Sequence, residues 1–201
     1  MTERLRKQLD FSLEVDKTKD IFRQTYISSG ERKENDAEHA WHMALMAYLL
    51  REYANEEVDI LKVIIMILIH DLVEIDAGDT YAFDAEANLD KREREVKAAD
   101  RIFNILPEDQ AKEIYDLWEE FEAYETPEAK FAHTLDNFQP LMLNNSIGGV
   151  SWREHGVKLS QILKRNSKTG EGSKEIWSYM REVIQDNIDE GNIIDDKKIE
   201  D

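Results

Sequence analysis

The chain has 201 residues, no cysteine, and a formal charge of −18 at pH 7 that comes from 44 acidic and 26 basic residues. This length fits one domain with its own core, and the lack of cysteine excludes disulfides and thiolate zinc sites. The negative charge disfavours binding to a nucleic-acid duplex, whose phosphates such a chain repels. It does not exclude a small phosphorylated ligand, because a bound cation and a few arginines can reverse the local field.

No apolar run approaches the length of a membrane span, which takes about 20 residues. The first residues also lack the apolar stretch of a signal peptide. We therefore expect a cytoplasmic protein that does not bind membranes. One domain is predicted over residues 1–190, followed by a frayed acidic tail over residues 191–201.

Apolar residues recur at helical spacing along nearly the whole chain, and no long segment alternates apolar with polar residues as a strand does. The predicted fold is therefore an all-α helical bundle. In chain order, helices are predicted over about residues 3–27, 36–50, 57–75, 86–105, 107–124, 126–145, 151–165 and 173–190.

Turn-forming residues mark the ends of these helices. Residues 28–30, Ser-Ser-Gly, are expected to end the first helix, and residues 76–80 and 169–172 are predicted loops. Asp36 is expected to cap the second helix, and Pro140 is expected to kink the helix that contains it.

His70 and Asp71 stand at the end of the most apolar predicted helix, directly after Ile67, Leu68 and Ile69. A carboxylate is unfavourable at the negative end of a helix and in an apolar environment, so this pair needs a partner. A cation meets the need, although a hydrogen-bonded core pair is the more frequent explanation for such a dipeptide alone.

Two further polar residues, His39 and Asp136, lie on apolar faces of other predicted helices. Each alone is more often a hydrogen-bonded core residue. Together with His70 and Asp71 they form a set of four residues on three helices. Imidazole and carboxylate groups without thiolate suit one divalent ion among Mn, Fe, Co, Ni, Zn and Mg, and four ligands leave positions open for water and substrate.

The order H…HD…D resembles the motif of the HD-domain metal-dependent phosphohydrolases. Residues 32–39, Arg-Lys-Glu-Asn-Asp-Ala-Glu-His, resemble the segment before the first metal histidine in the 5′-deoxynucleotidase branch. Residues 70–74, His-Asp-Leu-Val-Glu, with Gly78 and Asp79 after them, resemble the H-D-x-x-E…G-D signature of that branch. The resemblance covers about residues 5–145 and implies an HD-domain helical bundle with a buried mononuclear metal site.

The resemblance also implies a role for each matched residue. The implied metal ligands are His39, His70, Asp71 and Asp136. Glu74 would act as an acid or base or position water, and Asp79 would orient the attacking water or the substrate. An arginine contacts the phosphate in this branch, for which Arg23 is the nearest candidate and Arg32 the other. Without a function, Glu74 would be an exposed helix-end acid, Asp79 a turn residue and Arg32 a solvated loop residue.

The reaction implied by the resemblance is hydrolysis of a nucleoside 5′-monophosphate, with the deoxy form as one option. A phosphodiesterase or nucleoside-triphosphate hydrolase on the same metal site is the first alternative, because one fold hosts several reactions. A non-catalytic helical nucleotide-binding protein is the second, and the complete set of ligands argues against it. Because relatives pair through helices, the resemblance also implies a homodimer.

Three features depart from the family pattern. His42 is expected to line a polar wall rather than to bind a second metal, and His133 is expected to face solvent. Residues 148–165, which include Trp152 and His155, are expected to form a helix cap around a packed tryptophan. A part in the substrate pocket is the alternative for this segment.

Overall fold

Helices dominate the computed structural model, which describes residues 1–79 and 89–197. The prediction of an all-α fold is confirmed, with one small hairpin as the exception. The α-helices are α1 (Glu3–Val15), α2 (Asp36–Leu50), α3 (Ile60–Ile69), α4 (Glu74–Ala77), α5 (Lys91–Phe103), α6 (Glu108–Ala123), α7 (Pro127–Ser146), α8 (Val150–Glu154), α9 (Leu159–Arg165), α10 (Thr169–Gly172) and α11 (Lys174–Asp189). The strands are β1 (Phe22–Tyr26) and β2 (Lys33–Asn35), and 3-10 turns cover Asp16–Asp20, Arg51–Tyr53 and His70–Val73.

The predicted first helix over residues 3–27 is wrong in its second half. Helix α1 ends at Val15, and β1 pairs antiparallel with β2. Aromatic and threonine residues in β1 favour a strand, and Gly30 adopts a φ of +73° between the strands. Residues 28–30 therefore belong to the connection of a hairpin rather than to the end of a helix. This hairpin determines where Arg23 lies.

Helix α2 begins at Asp36 as predicted, but Asn35 rather than Asp36 caps it. The Asn35 side chain accepts a hydrogen bond from the backbone N–H of Glu38, and the Glu38 side chain accepts one from the backbone N–H of Asn35. This reciprocal capping box satisfies donors that the first helical turn leaves unpaired. The Asp36 carboxyl is consequently directed into the interior, where it is buried.

The predicted helix over residues 57–75 is divided into three parts in the structure. Asp59 caps α3, which ends at Ile69 and passes into the 3-10 turn at His70–Val73 and then into α4. Gly78, with a φ of +75°, ends α4. The tightened turn thus carries His70 and Asp71, which lie just beyond the last α-helical residue of the apolar helix.

Helix α7 runs through the middle of the molecule and packs against α2, α3, α6, α10 and α11. It continues through Pro140 to Ser146. The main core lies around it and includes Met43, Met66, Phe131, Leu135 and Met180. A second cluster joins the end of α3 to α5 and α6, with Phe103 and Trp118 at its centre. The main core holds α2, α3 and α7 side by side.

The C-terminal third is more ordered than predicted. Residues 151–165 form two helices, and the predicted loop at 169–172 is the short helix α10, in which Thr169 and Gly172 are buried. A Cβ on Gly172 would overlap the carbonyl oxygen of Lys130 and the Thr134 hydroxyl, so only glycine allows this close approach.

The predicted frayed tail is also wrong as far as residue 197. Ile193 is buried, and the backbone N–H of Leu159 donates to the carbonyl oxygen of Ile194 at 2.8 Å. Residues 198–201, and residues 86–88 of the predicted helix over 86–105, lie outside the described residues. Within the described ranges, no helix is both long enough and apolar enough to cross a membrane.

Candidate functional site

The fold brings the four predicted metal ligands together. His39 comes from α2, His70 and Asp71 from the 3-10 turn after α3, and Asp136 from α7. Nε2 of His39 lies 3.2 Å from Oδ1 of Asp136, and Nε2 of His70 lies 3.8 Å from the same oxygen. Nε2 of His70 also lies 3.1 Å from Oδ2 of Asp71. Residues far apart in the chain thus present four polar groups to one small volume.

The donor atoms at this point fit a divalent cation. Nδ1 of His70 is 2.7 Å from the carbonyl oxygen of Ile67, so Nδ1 donates and Nε2 is left as an acceptor. That Nε2 is buried and has no hydrogen-bond partner among the described residues. Ligand atoms from His39, His70 and Asp136 all lie within 4.8 Å of one another. A metal ion is the partner that satisfies such a set of nitrogen and oxygen donors.

The charges of the cluster point the same way. Burial alone would raise the pKa of Asp71, but His70 and Arg23 outweigh burial and hold this pKa below its usual value. Burial also opposes ionisation of Asp136, yet the neighbouring His39 and His70 outweigh burial and hold its pKa well below the usual value. Burial lowers the pKa of His70, but Asp71 and Asp136 outweigh it and raise the pKa well above normal. The buried cluster therefore attracts positive charge.

Arg23 reaches this cluster from β1. Its Nη1 donates to Oδ2 of Asp71 at 2.6 Å and lies 3.5 Å from Oδ1 of Asp36. The Arg23 side chain is only 12% exposed, and these acids keep its pKa well above the usual value despite burial. The structure therefore places the first of the two predicted phosphate-binding arginines at the cluster, beside a predicted metal ligand.

Three carboxyls gather next to Arg23, namely Asp36, Asp71 and Glu74, with one oxygen of each within 4.8 Å of the others. Burial, reinforced by Asp71, raises the pKa of Asp36 to about 7 and that of Glu74 well above its usual value. Oε2 of Glu74 is buried without a hydrogen-bond partner among the described residues. Glu74 is thus a buried acid that holds a proton more strongly than usual, not an exposed helix-end residue.

Asp79 also lies at this site, and burial raises its pKa. Asp36 was not singled out from the sequence, where it was interpreted only as a helix cap. Its position one residue after an asparagine that can cap equally well is the only signal that could have indicated an inward carboxyl.

A buried polar layer lies behind His39. Nε2 of Gln139 donates to Oε2 of Glu34 at 2.9 Å and lies 3.2 Å from Nδ1 of His42. Glu34 and Gln139 are almost completely inaccessible to solvent. The sequence pattern did not mark these two residues, because polar residues are ordinary both in the connection that holds Glu34 and in the helix that holds Gln139. His42 belongs to this polar wall, as expected.

A cavity of about 470 Å³ opens beside the cluster. Six of the predicted site residues line it, namely Arg23, His70, Asp71, Glu74, Asp79 and Asp136. Residues that the sequence did not indicate also line it, among them Lys91, Glu122, Tyr124, Asn137 and Lys168, and so does Arg165, from the segment over residues 148–165. Trp152 is packed in the core and also lines the cavity.

Arg32 and His133 lie elsewhere than expected. Arg32 makes a two-point ion pair with Glu38, at 2.8 and 2.6 Å, and its side chain is half exposed outside the cavity lining. The structure therefore does not bring the second candidate arginine to the site. The prediction that His133 faces solvent is wrong: its ring stacks on Phe121 with centroids 3.9 Å apart, and Nε2 donates to the Phe121 carbonyl oxygen at 2.8 Å.

Comparison with solved structures supports the architecture. A crystal structure from Magnetospirillum magnetotacticum MS-1, described as a predicted metal-dependent phosphohydrolase, is 48% identical in sequence. It superposes with a TM-score of 0.90 over 95% of this chain and 96% of that chain. A conserved hypothetical protein from Pyrococcus furiosus is 26% identical, with a TM-score of 0.61 over 87% of this chain and 99% of that one.

Curated relatives carry a more specific name. The 5′-deoxynucleotidase HDDC2 of Mus musculus is 35% identical over 113 residues, which are 56% of this chain and 55% of that protein. The chain therefore spans about half the length of this relative. The protein of the same name from Dictyostelium discoideum is 34% identical over 140 residues, 67% of this chain and 74% of that protein. The family model described as HD domain matches residues 15–177, so this chain belongs to the HD domain family.

Proposed function

We propose that the protein is a metal-dependent phosphohydrolase that converts nucleoside 5′-monophosphates, including the deoxy forms, into nucleoside and phosphate. The observation that carries this proposal is the buried group of two imidazoles and two carboxylates that opens onto a cavity of about 470 Å³. Small-molecule sites typically measure about 300–1,000 Å³, so a nucleotide is of suitable size. Relatives named 5′-deoxynucleotidase support the choice of substrate.

In this proposal one divalent ion, among Mn, Fe, Co, Ni, Mg and Zn, is held by a set of four residues. These are His39, His70, Asp71 and Asp136. Such an ion supplies Lewis acidity, which offsets phosphoryl charge and makes a water more acidic. The partnerless Nε2 of His70 and the ionised carboxylates around it are the features that support this assignment.

Side chains around the ion complete the proposed chemistry. Arg23, already at 2.6 Å from Asp71, holds positive charge where the phosphoryl group develops negative charge. Glu74 holds a proton because burial raises its pKa, so it can donate to the leaving 5′ oxygen or position the water. Asp79 lines the cavity and orients the water or the sugar. The high negative charge of the chain favours a small nucleotide over a duplex.

A substrate panel tests the proposal. Phosphate release would be measured for nucleoside 5′-monophosphates, a diester and a nucleoside triphosphate, each with Mn²⁺, Co²⁺, Ni²⁺, Mg²⁺ and Zn²⁺. We expect activity on the monophosphates that disappears in the His70→Ala variant. Turnover of the diester or triphosphate alone would contradict the monoesterase and establish the corresponding alternative. No turnover with any ion would favour a non-catalytic nucleotide-binding protein.

We further propose that the protein forms a homodimer through α2. Four large apolar side chains on this helix are exposed, namely Trp41, Leu45, Tyr48 and Leu49 at 66, 46, 53 and 59%. Leu45 follows Trp41 by four residues and precedes Tyr48 and Leu49 by three and four, so the four side chains lie on one side of the helix. A continuous apolar stripe of this kind on a surface helix is typical of a protein–protein interface.

A further inference from the structure

Arg165 is a cation at the cavity to which the proposed reaction assigns no role. It is the last residue of α9, and its Nη2 lies 3.5 Å from Oδ2 of Asp136. Asp136 turns its other oxygen, Oδ1, towards His39 and His70 and within 4.0 Å of Nη2 of Arg23. The two arginines therefore approach different oxygens of one carboxylate, and both line the cavity.

We propose that Arg165 is a second phosphate-binding residue, which contacts the phosphoryl group of the substrate together with Arg23. This inference rests on the proposed function, because it names a further binding residue at the same site. Three conditions support this role. The Arg165 guanidinium has donors that are not used elsewhere, the cavity would otherwise repel an anion, and Arg165 lies next to the proposed reaction site.

The donors of Arg165 are less committed than those of the other cations in the cavity wall. Arg23 donates to Asp71 at 2.6 Å, and Lys91 pairs with Glu95 at 3.3 Å. The ammonium of Lys168 lies over the Tyr124 ring, 5.1 Å from its centroid. The Arg165 guanidinium makes no hydrogen bond to any residue in the described ranges, and its ion pair with Asp136 is long at 3.5 Å. Its side chain is 34% exposed, which leaves the planar fork accessible from the cavity.

The charge of the cavity creates the need for such a residue. Besides Glu74, which holds a proton, its walls contain the acids Asp71, Asp79, Glu95, Glu122 and Asp136, and the chain as a whole carries −18. A phosphate dianion is repelled from such a wall unless cations face it. Arg23 already donates to Asp71 at 2.6 Å, so it has fewer donors left for the anion. A guanidinium offers two parallel donors that match two phosphate oxygens, which makes Arg165 suited to this anion.

The test is the binding of inorganic phosphate to Co²⁺-loaded protein, measured by calorimetry on wild type and three variants. We expect Arg165→Ala to bind phosphate about 10–100-fold more weakly, the usual scale for loss of a hydrogen bond to a charged group. The phosphate affinity of Arg165→Lys should lie between those of wild type and Arg165→Ala, because lysine keeps the charge but lacks the two parallel donors of the guanidinium. Lys164→Ala is the matched control, since Lys164 is the exposed neighbour on the same helix and does not line the cavity.

Metal content, measured on every sample, separates phosphate binding from support of Asp136. Equal phosphate affinity in Arg165→Ala and wild type would overturn the inference. So would a loss of affinity that only accompanies loss of Co²⁺, because Arg165 would then serve the metal ligand. Weaker phosphate binding at full Co²⁺ content supports it.

Hydrolysis of a nucleoside 5′-monophosphate distinguishes this inference from the proposed function. If wild type hydrolyses the nucleotide and Arg165→Ala leaves KM unchanged, the function stands and the inference fails. If phosphate binding depends on Arg165 but no nucleotide is hydrolysed, the proposed function fails and the phosphate site stands. Wild-type protein that binds no phosphate would overturn the inference, while hydrolysis of the nucleotide would still decide the proposed function.

Discussion

The side-chain oxygen of Gln139 lies 3.0 Å from Nδ1 of His39, and both side chains are fully buried. Because the amide nitrogen of Gln139 donates to Glu34, its oxygen faces the imidazole and requires a proton on Nδ1. Nε2 of His39 is thereby directed at Asp136, just as the Ile67 carbonyl directs Nε2 of His70. His39 on α2 and His70 on the 3-10 turn thus each direct Nε2 towards the same point. This arrangement is common among metal-binding histidines.

Gln139→Met should weaken metal binding while keeping the volume of the side chain. We expect affinity to fall about 10–100-fold, the usual effect of losing the outer partner of a ligating histidine. The free energy of unfolding of the metal-free protein should also fall by about 1–3 kcal/mol, because Glu34 loses its buried donor. Competition with a chromophoric chelator measures the affinity. An unchanged affinity would show that Gln139 does not orient His39.

His70→Ala should abolish stoichiometric metal binding. Since an outer partner alone is worth about 10–100-fold, loss of a ligand should cost at least about 100-fold in affinity. Metal at about 100 times its Kd adds about 2.7 kcal/mol to the free energy of unfolding of wild type, and this increment should vanish in the variant. Elemental analysis and thermal melts with and without metal measure both effects. His155→Ala, a change of an exposed histidine outside the cavity lining, is the control. Full metal occupancy in His70→Ala would remove His70 from the set.

Glu74→Gln should reduce turnover about 10²–10⁴-fold, the usual scale for loss of a general acid or base. The amide keeps the shape of the side chain and cannot give up or take a proton in the same way. Metal content and melting temperature should stay near those of wild type. Glu95→Gln is a matched control, because Glu95 is also buried in the cavity wall but pairs with Lys91. Normal turnover in Glu74→Gln would transfer the proton role to Asp79, and loss of metal would make Glu74 a ligand.

His133 should make the fold sensitive to acid. Burial lowers the pKa of His133 from 6.5 to about 4. Between these values the unfolded chain binds the proton and the folded chain does not, so the contribution of His133 is complete above pH 6.5 and is lost as pH falls towards 4. At about 1.4 kcal/mol for each pKa unit, the loss approaches about 3 kcal/mol. His133→Gln should lack this component, so urea unfolding of both proteins at several pH values measures it. Parallel pH profiles would contradict the prediction.

Leu45→Glu should dissociate the proposed dimer, because it introduces a charge into the middle of the exposed apolar stripe of α2. Light scattering at micromolar concentration should give twice the chain mass for wild type and the chain mass for the variant. Leu13→Glu makes the same change on the exposed side of α1 and should leave the mass unchanged. A monomeric wild type would refute the dimer.

The sequence by itself determined the helical class and the elements of the bundle that carry His39, His70, Asp71 and Asp136. Helical spacing of apolar residues can be recognised within a short stretch of sequence, so it does not depend on contacts with the rest of the chain. A histidine–aspartate pair at the end of an apolar helix also indicates, from the local sequence, that these polar groups need a buried partner. The errors concern elements that depend on distant residues. The strand at residues 22–26 pairs with a second strand, and the helix at residues 169–172 packs closely against Lys130 and Thr134.

Only the tertiary structure decided how Arg23 reaches these four residues and which polar residues beyond the predicted ones share the site. The hairpin delivers Arg23, the capping of α2 by Asn35 turns Asp36 inward, and α9 places Arg165 beside Asp136. These contacts join residues far apart in sequence, so no local pattern encodes them. The chemistry that results, including a carboxyl of Asp36 with a pKa of about 7, comes from burial and from neighbouring charges, which exist only once the chain has folded.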